Sequence, residues 1–159
     1  MITATALILF SALAAPPAPI ADLSDAANAL LSGLNAEQRS IVQYDFDDEE
    51  RWDWHFIPRK RPGLSFNNLR EDQYPLIQAL LRAGLSEGGF KTAETIRSLE
   101  GVLHQMEGPQ ATHRDPLDYH LSIFGTPDKD GTWSFRYEGH HLSLHWTIVK
   151  GKAIASSPQ

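Results

Sequence analysis

The spacing of apolar residues changes once along this chain, and that change limits the fold more than any other feature. Over residues 22–44 and again over 67–107, apolar side chains recur every three or four positions, which is the spacing of an amphipathic helix. From residue 119 onward they alternate with polar side chains, as in half-buried strands. Helices that precede strands in this way predict an α+β fold, with N-terminal helices, including a helical hairpin, followed by an antiparallel β-meander.

The first helical stretch, residues 22–44, predicts a helix, a short break and a second helix. Ser24 has the residue type of an N-cap for the first helix. Asn35 has it for the second, where Gln38 stands at the capping-box position. The run that follows, residues 45–63, has no periodicity, and the acidic residues at its start predict a solvated charged turn.

The second helical stretch predicts a hairpin of two helices separated by Gly84 and Gly88, with Ser86 as the N-cap of the second helix. Both helices have an apolar face that needs a partner. His104 lies beside the second face and is interpreted as a hydrogen-bonded packing residue. The predicted faces comprise Leu69, Leu76, Leu80 and Leu81 in the first helix and Ile96, Leu99, Val102, Leu103 and Met106 in the second.

The second half of the chain predicts three strands, over residues 119–124, 133–137 and 141–149. Pro, Asp and Gly between 126 and 131 are typical of a turn between the first two strands. Gly139 indicates either a bulge or the tip of a tight hairpin between the last two.

Composition excludes several classes of function. The formal net charge is −6, and the only basic run is the three-residue stretch 59–61, so a nucleic-acid surface is not expected. The chain has no cysteine, which excludes thiolate metal sites and a thiol nucleophile. Any metal must therefore be held by histidine, carboxylate or water. Ser86, in "GLSEGG", fits a helix N-cap better than the Ser of a nucleophile elbow, so a serine hydrolase is not favoured, and the sequence has no phosphate-binding Gly-rich motif.

The N-terminal sequence predicts export to a secreted or periplasmic location. An apolar run over residues 6–15 has the length of a signal-peptide core and ends at a small-x-small cleavage site, although no Lys or Arg precedes it. The run is too short to span a bilayer as a helix. The predicted organisation is a signal peptide over 1–15, a Pro-rich junction over 16–21 and a single α+β domain over 22–159, which does not span a membrane once the signal is removed.

Three of the seven histidines, His140, His141 and His145, lie within six residues of one another. Successive residues of a regular strand point to opposite faces, so His140 and His141 would not share one. His141 and His145 would, but four steps of ~3.3 Å separate them by about 13 Å, too far for two ligands at ~2.1 Å from one ion. These three histidines alone do not predict a metal site.

An arrangement across two strands fits a metal better. The unit His-Leu-Ser occurs at both His120 and His141, and on neighbouring strands these imidazoles would lie within roughly 5 to 8 Å. Asp115, Asp118 and Glu138 are near in sequence and could supply an anionic third ligand.

The resulting hypothesis has His120, His140 and His141 as metal ligands and Glu138 or Asp115 as a further ligand or general base. Two alternatives stay open. The histidines could be buried structural residues hydrogen-bonded to backbone or tyrosine, or one of them could be a single acid/base histidine held by a carboxylate. Aromatic residues could also line a groove for a carbohydrate or aromatic ligand, although aromatics are more often part of the core; these are Trp52, Trp54, Phe56, Trp133, Tyr137 and Trp146.

Three segments together resemble domain of unknown function family 3500: "WDWHFIPRKRPGLSFNNL", "LLRAGLSEGGFKTAETIRSLEGVL" and "RDPLDYHLSIFGTPDKDGTWSFRYEGHHLSLHWTIV". The resemblance covers residues 22–155, and the Gly-His-His-Leu-Ser block is its most specific part. It implies an exported bacterial or fungal protein and assigns no activity. It also implies that the chain corresponds to the N-terminal half of a longer family domain, and that an Asn is more common at the position of His145. The family-like positions are Arg114, Asp115, Tyr119, Gly125, Trp133, Glu138, Gly139, His140 and His141.

The sequence as a whole therefore predicts an exported protein with a histidine-based, metal-dependent hydrolase or oxidase site. The cofactor would be a divalent metal such as zinc or copper, and the partner a small molecule or an extracellular polymer. The alternatives are a non-catalytic secreted ligand-binding module and an inactive, truncated member of the family.

Overall fold

A computed structural model describes residues 20–158, so the predicted signal peptide and most of the Pro-rich junction lie outside the described residues. Within residues 20–158, no helix has both the length and the apolar character that a bilayer crossing requires. The helices are α1 Ile20–Gly33, α2 Ala36–Val42, α3 Tyr74–Gly84 and α4 Glu87–Glu107, and the strands are β1 Gln43–Tyr44, β2 Leu64–Ser65, β3 His120–Phe124, β4 Trp133–Gly139, β5 Leu142–Val149 and β6 Ala153–Pro158.

The strands form one mixed sheet in the order β1-β3-β4-β5-β6, and β2 pairs with β3 as well. Strands β3, β4 and β5 are the predicted antiparallel meander, β6 extends it by a strand that was not predicted, and the α+β fold class is confirmed. The parallel pairing of β1 with β3 was not predicted. Strands of two residues are too short to produce a periodic pattern, and only the pairing with β3 defines β1 and β2.

One face of the sheet packs against the helices. Phe135 and Trp146 are directly opposite each other on β4 and β5, and their rings stack with centroids 4.4 Å apart. The indole Nε1 of Trp146 donates a 3.0 Å hydrogen bond to the carbonyl of Gly84 at the end of α3. Tyr137 lies two residues after Phe135 on β4 and therefore points to the same side. Leu121 is directly opposite Tyr137 on β3, so it also points toward the helices, and both residues are fully buried.

The other face of the sheet carries polar residues, yet it is also buried, because the segment over residues 45–62 covers it. Arg136 of β4 forms an ion pair with Glu50 of this covering segment and lies 3.2 Å from Glu138. The prediction of a solvated turn is therefore wrong for Glu50, whose side chain is 17% exposed. It holds for Asp45 and Asp47, which are exposed.

The capping predictions have different outcomes. Ser24 is not an N-cap, because α1 begins at Ile20 and Ser24 lies buried inside the helix. The capping box at Asn35 is confirmed: its side chain accepts a 2.8 Å hydrogen bond from the backbone N–H of Gln38, whose own side chain accepts one of 3.0 Å in return. Ser86 is confirmed as the N-cap of α4.

The helical hairpin is present as α3 and α4, but the apolar face predicted for α4 is largely turned outward. Instead, α4 buries Phe90, Ala93 and Glu100. A prediction based on apolar side chains alone could not include a carboxylate in the buried stripe, although a carboxylate with partners can be buried. Among the exposed large apolar residues are Leu99, Val102 and Met106, with 47%, 50% and 77% of their surface accessible.

Candidate metal centre

His140 and His141 form the two-residue turn that joins β4 to β5, since Gly139 pairs with Leu142. His141 has a φ of 62°, in the left-handed region that residues other than glycine rarely adopt. The expectation that the two side chains face opposite ways assumed a strand, and it is wrong for a turn. Their rings stack face to face, with centroids 3.8 Å apart and planes inclined by 25°.

Hydrogen bonds from three directions hold this turn. The backbone N–H of His141 donates to the carbonyl of Phe56 at 2.7 Å, and the hydroxyl of Tyr119 donates to the carbonyl of His140 at 2.6 Å. The buried guanidinium of Arg61 donates to the carbonyl of Gly139 at 3.1 Å. A left-handed residue costs about 1–3 kcal/mol and persists only where its surroundings fix it, which makes the turn a candidate for function.

Glu100 of α4 brings a carboxylate to the turn. Its side chain is 1% exposed, and Oε1 lies 2.9 Å from Nδ1 of His140. One ligand atom from each of Glu100, His140 and His141 lies within 4.8 Å of the others, and we call this set the Glu–His–His cluster. Ligands at ~2.1 Å from a tetrahedral ion are roughly 3.4 Å apart, so a small contraction would let all three bind one ion.

Arg114 supplies a positive charge at the cluster. Its Nη1 lies 3.1 Å from Nδ1 of His140 and 3.6 Å from Oε2 of Glu100, and its Nη2 lies 2.8 Å from Oε1 of Glu107. A ring nitrogen carries either one hydrogen or one lone pair. Nδ1 of His140 therefore cannot donate to Glu100 and accept from Arg114 at the same time, and one of these two contacts is always unsatisfied.

Two further features make the cluster suitable for a cation. Burial lowers the pKa of His140 below its ordinary value, although Glu100 opposes this, and the neutral imidazole that results is the form that binds metals. Oε2 of Glu100 is buried, and no group within residues 20–158 makes a hydrogen bond to it. A buried acceptor of this kind needs an explanation, and a bound ion would supply one.

His120 is not part of the cluster. Strand β4 lies between β3 and β5, which puts β3 and β5 roughly 10 Å apart, so the expectation that they are neighbours is wrong. His120 lies opposite Glu138 on the polar face of the sheet, and its Nε2 lies 2.8 Å from Oδ1 of Asp118. The structure therefore brings together two of the three predicted ligands, His140 and His141.

Glu138 also belongs to the polar face rather than to the cluster. It is 2% exposed and accepts a 3.0 Å hydrogen bond from the backbone N–H of His55. Burial raises the pKa of its carboxyl group, while Arg136 and Arg61 lower it less. These contacts tie the covering segment to the sheet.

Asp115 is engaged in the loop that leads to β3. Its two carboxylate oxygens accept hydrogen bonds of 2.8 Å from the backbone N–H of Leu117 and of 2.9 Å from the side chain of Asn67. Asp115 therefore fixes a turn, and neither it nor Glu138 is in contact with the Glu–His–His cluster in the described part of the chain.

Glu100 is the site residue that the sequence analysis missed. The signal was its spacing: Phe90, Ala93, Arg97 and Glu100 recur at intervals of three or four and share one face of α4. Arg97 stacks above the ring of Phe66 at 5.2 Å, so two charged residues follow two apolar ones along the same inward stripe. A charged residue in register with a buried stripe would have identified the site.

Comparison with known protein families identifies a family whose model matches this chain. The model of the family described as "Protein of unknown function (DUF3500)" matches residues 17–159 of this chain, which is most of its length. A search of the curated proteins and a search of the solved structures gave no significant match.

Proposed function

The chain belongs to the DUF3500 family, and we propose that it is a metal-dependent hydrolase with its ion at the Glu–His–His cluster. The supporting observation is that a buried carboxylate oxygen and two imidazole nitrogens lie within 4.8 Å of one another. Two histidines and one carboxylate form the ligand set of several catalytic zinc sites and of non-haem iron sites. Three protein ligands leave positions for water and substrate, and zinc at such a site produces a water nucleophile near neutral pH.

The charges near the cluster suit a divalent cation. Glu100 and Glu107 carry two negative charges, Arg114 carries one positive charge, and the lowered pKa of His140 favours its neutral form. The charge near the site is therefore about −1 before an ion binds. A divalent ion would also satisfy Oε2 of Glu100.

We also propose that the protein acts outside the cytoplasm. The support is the apolar run over residues 6–15 with its small-x-small cleavage site. Fusing residues 1–25 to a reporter enzyme that is active only after export tests this. Reporter activity is expected, and activity equal to that of a fusion without these residues would contradict it.

The metal site is tested by calorimetric titration of the protein, purified without a histidine tag and stripped of metal, with zinc chloride. One equivalent is expected to bind. The variants Glu100→Gln and His141→Gly should each weaken zinc binding by about 10-fold or more, which is roughly 1.4 kcal/mol per lost ligand. His113→Asn is the matched control, because His113 is exposed and lies outside the cluster, and it should bind zinc as the wild type does.

The outcomes separate the possible functions. Binding that is unchanged in both variants, or no zinc binding, would contradict the proposal. Oxidation of a substrate by the copper-loaded protein, with no turnover of any ester or amide by the zinc-loaded protein, would favour the oxidase reaction over hydrolysis, because zinc has no redox chemistry.

A second candidate function, a secreted ligand-binding module, is favoured by the covering segment. Trp52, Phe56 and Ile57 are exposed on it, with 65%, 45% and 52% of their surface accessible. The backbone of Phe56 is nonetheless fixed to the turn by its hydrogen bond from His141. A fixed backbone that presents exposed aromatic rings is suited to binding. If the protein binds no metal but retains a ligand that is lost in Trp52→Ala, the binding module is the better description.

A further inference from the structure

A depression lies directly beside the Glu–His–His cluster. It has a volume of about 390 Å3 and is formed by the second half of α4 and the loop before β3. Gly101, which follows the cluster residue Glu100 along α4, is part of its wall, and a side chain at this position would approach Pro116. The residues that line the depression are Gly101, His104, Thr112, Arg114, Asp115 and Pro116.

Arg114 connects the depression to the cluster. The same guanidinium that lines the depression lies 3.1 Å from Nδ1 of His140 and 3.6 Å from Oε2 of Glu100. A molecule bound in the depression would therefore contact this guanidinium, which lies next to the groups that would bind the ion.

The depression offers more hydrogen-bond donors than free acceptors. Arg114 supplies N–H groups and exposed Thr112 a hydroxyl. Nδ1 of His104 donates to the carbonyl of Ala111 at 3.1 Å, so the other nitrogen of the uncharged ring is an acceptor and adds no donor to the wall. The one carboxylate in the wall, Asp115, already accepts hydrogen bonds at both oxygens. A wall of this kind fits an anionic group.

The present partners of Arg114 are exchangeable. Its bidentate partner Glu107 is the last residue of α4 and is 37% exposed, so this carboxylate can turn to solvent when a ligand takes its place. A metal ion bound to Glu100 and His140 would occupy the groups that face Arg114 from the other side. The planar guanidinium would then be available to a bidentate carboxylate or phosphate oxygen pair.

We infer that Arg114 is a substrate-binding residue that holds an anionic group, a phosphate, phosphonate or carboxylate, in the depression next to the metal. The inference rests on the proposed metal site, since the ion is what releases Arg114 from Glu100 and His140. It names the substrate class: an anionic ester or amide whose reacting bond lies toward the ion while its charged group lies on Arg114.

The test is calorimetric titration of the zinc-loaded protein with methylphosphonate and, separately, with acetate, using the neutral dimethyl ester of methylphosphonate as a control probe. Arg114→Met is expected to weaken binding of the preferred anion by at least about 10-fold, as for loss of a charge-assisted bidentate contact. Arg114→Lys should recover only part of the loss, because it keeps the charge but not the fork. Arg82→Met is the matched control: Arg82 also pairs with one exposed glutamate and should not affect binding.

The failure of the inference differs from the failure of the proposed function. If zinc binds and Arg114→Met leaves the affinity for both anions unchanged, the anions bind the ion alone and the role of Arg114 is wrong. If the neutral ester binds as tightly as methylphosphonate, the substrate class is wrong. If zinc does not bind at all, the proposed metal site fails first, and anion binding that still depended on Arg114 would then define a metal-independent anion site.

Discussion

Glu100 of α4 and His140 of the β4–β5 turn face each other across the helix–sheet contact, with Oε1 and Nδ1 2.9 Å apart. The carboxylate is 1% exposed, so water cannot replace this contact unless the helix moves away from the turn. Glu100→Gln removes the charge at nearly constant volume. We expect the metal-free protein to lose about 1–3 kcal/mol of unfolding free energy, the usual cost of disrupting buried hydrogen-bonding partners. Urea denaturation measures it.

The control for this prediction is Glu87→Gln at the start of the same helix. Glu87 pairs with Arg82 at 2.8 Å, but its side chain is 83% exposed. An exposed pair contributes about 0–1 kcal/mol, so this variant should be near wild type. Equal losses of unfolding free energy in the two variants would mean that the contact between Glu100 and His140 stabilises the fold no more than an exposed ion pair does.

The left-handed backbone of the turn leads to a prediction about His141. Its φ of 62° favours glycine, so His141→Gly should relieve strain, whereas His141→Ala should keep the strain and lose the ring. In the absence of metal, we expect the glycine variant to be more stable than the alanine variant by about 1 kcal/mol. Both should bind zinc about 10-fold or more weakly than the wild type.

Thermal unfolding of the metal-free variants is the measurement for His141. If the alanine variant were as stable as the glycine variant, the left-handed conformation would not be a source of strain. A glycine variant with intact stability and weakened zinc binding would separate the role of the imidazole in metal binding from its role in folding.

The lowered pKa of His145 predicts how the free energy of unfolding depends on pH. Burial, and then the charges of Arg136 and Arg51, lower its pKa from 6.5 to about 4. Between these values the unfolded chain takes up a proton that the folded protein does not, so this contribution is fully present above pH 6.5 and is lost as the pH falls to about 4. His145→Asn should make the decline in the urea midpoint over this range shallower.

The decline should not vanish in that variant, because burial also lowers the pKa of His140 and acts in the same direction. His113→Asn, at an exposed histidine, should keep the wild-type slope. If His145→Asn and His113→Asn gave the same slope, the pH dependence would not come from burial of His145.

Gly139 packs closely against Tyr119, and this contact allows a prediction about the turn. A Cβ atom at this position would overlap the ring of Tyr119, whose hydroxyl holds the carbonyl of His140. Gly139→Ala should therefore cost about 1–3 kcal/mol, as overpacking does, and should weaken zinc binding by displacing the turn. Gly88→Ala is the control, since its Cβ would meet only the Oγ of Ser86 at 4.0 Å, and it should be neutral or stabilising.

Calorimetry and thermal unfolding of both glycine variants check this prediction. If Gly139→Ala had wild-type stability, Tyr119 would be able to move aside without cost. If it were destabilised but bound zinc normally, the support from Tyr119 would serve folding alone.

Several elements of the fold followed from local sequence patterns. The capping box at Asn35, the N-cap at Ser86 and the strands of the meander depend on contacts between residues close together in the chain, which a local pattern records. The errors have a common origin. Burial of Glu50 and the outward face of α4 depend on which distant segment covers each element, and no local pattern contains that information.

The candidate site was predictable in part for the same reason. His140 and His141 are adjacent in sequence, so the sequence alone established that two imidazoles occur together. Only the tertiary structure decided that they form a turn rather than a strand, that β4 separates them from His120, and that Glu100 joins them from a helix forty residues away. The physical reason is that secondary structure follows the spacing of side chains along the chain, whereas a cluster of ligands requires helix rotation and strand order to bring distant side chains to one point.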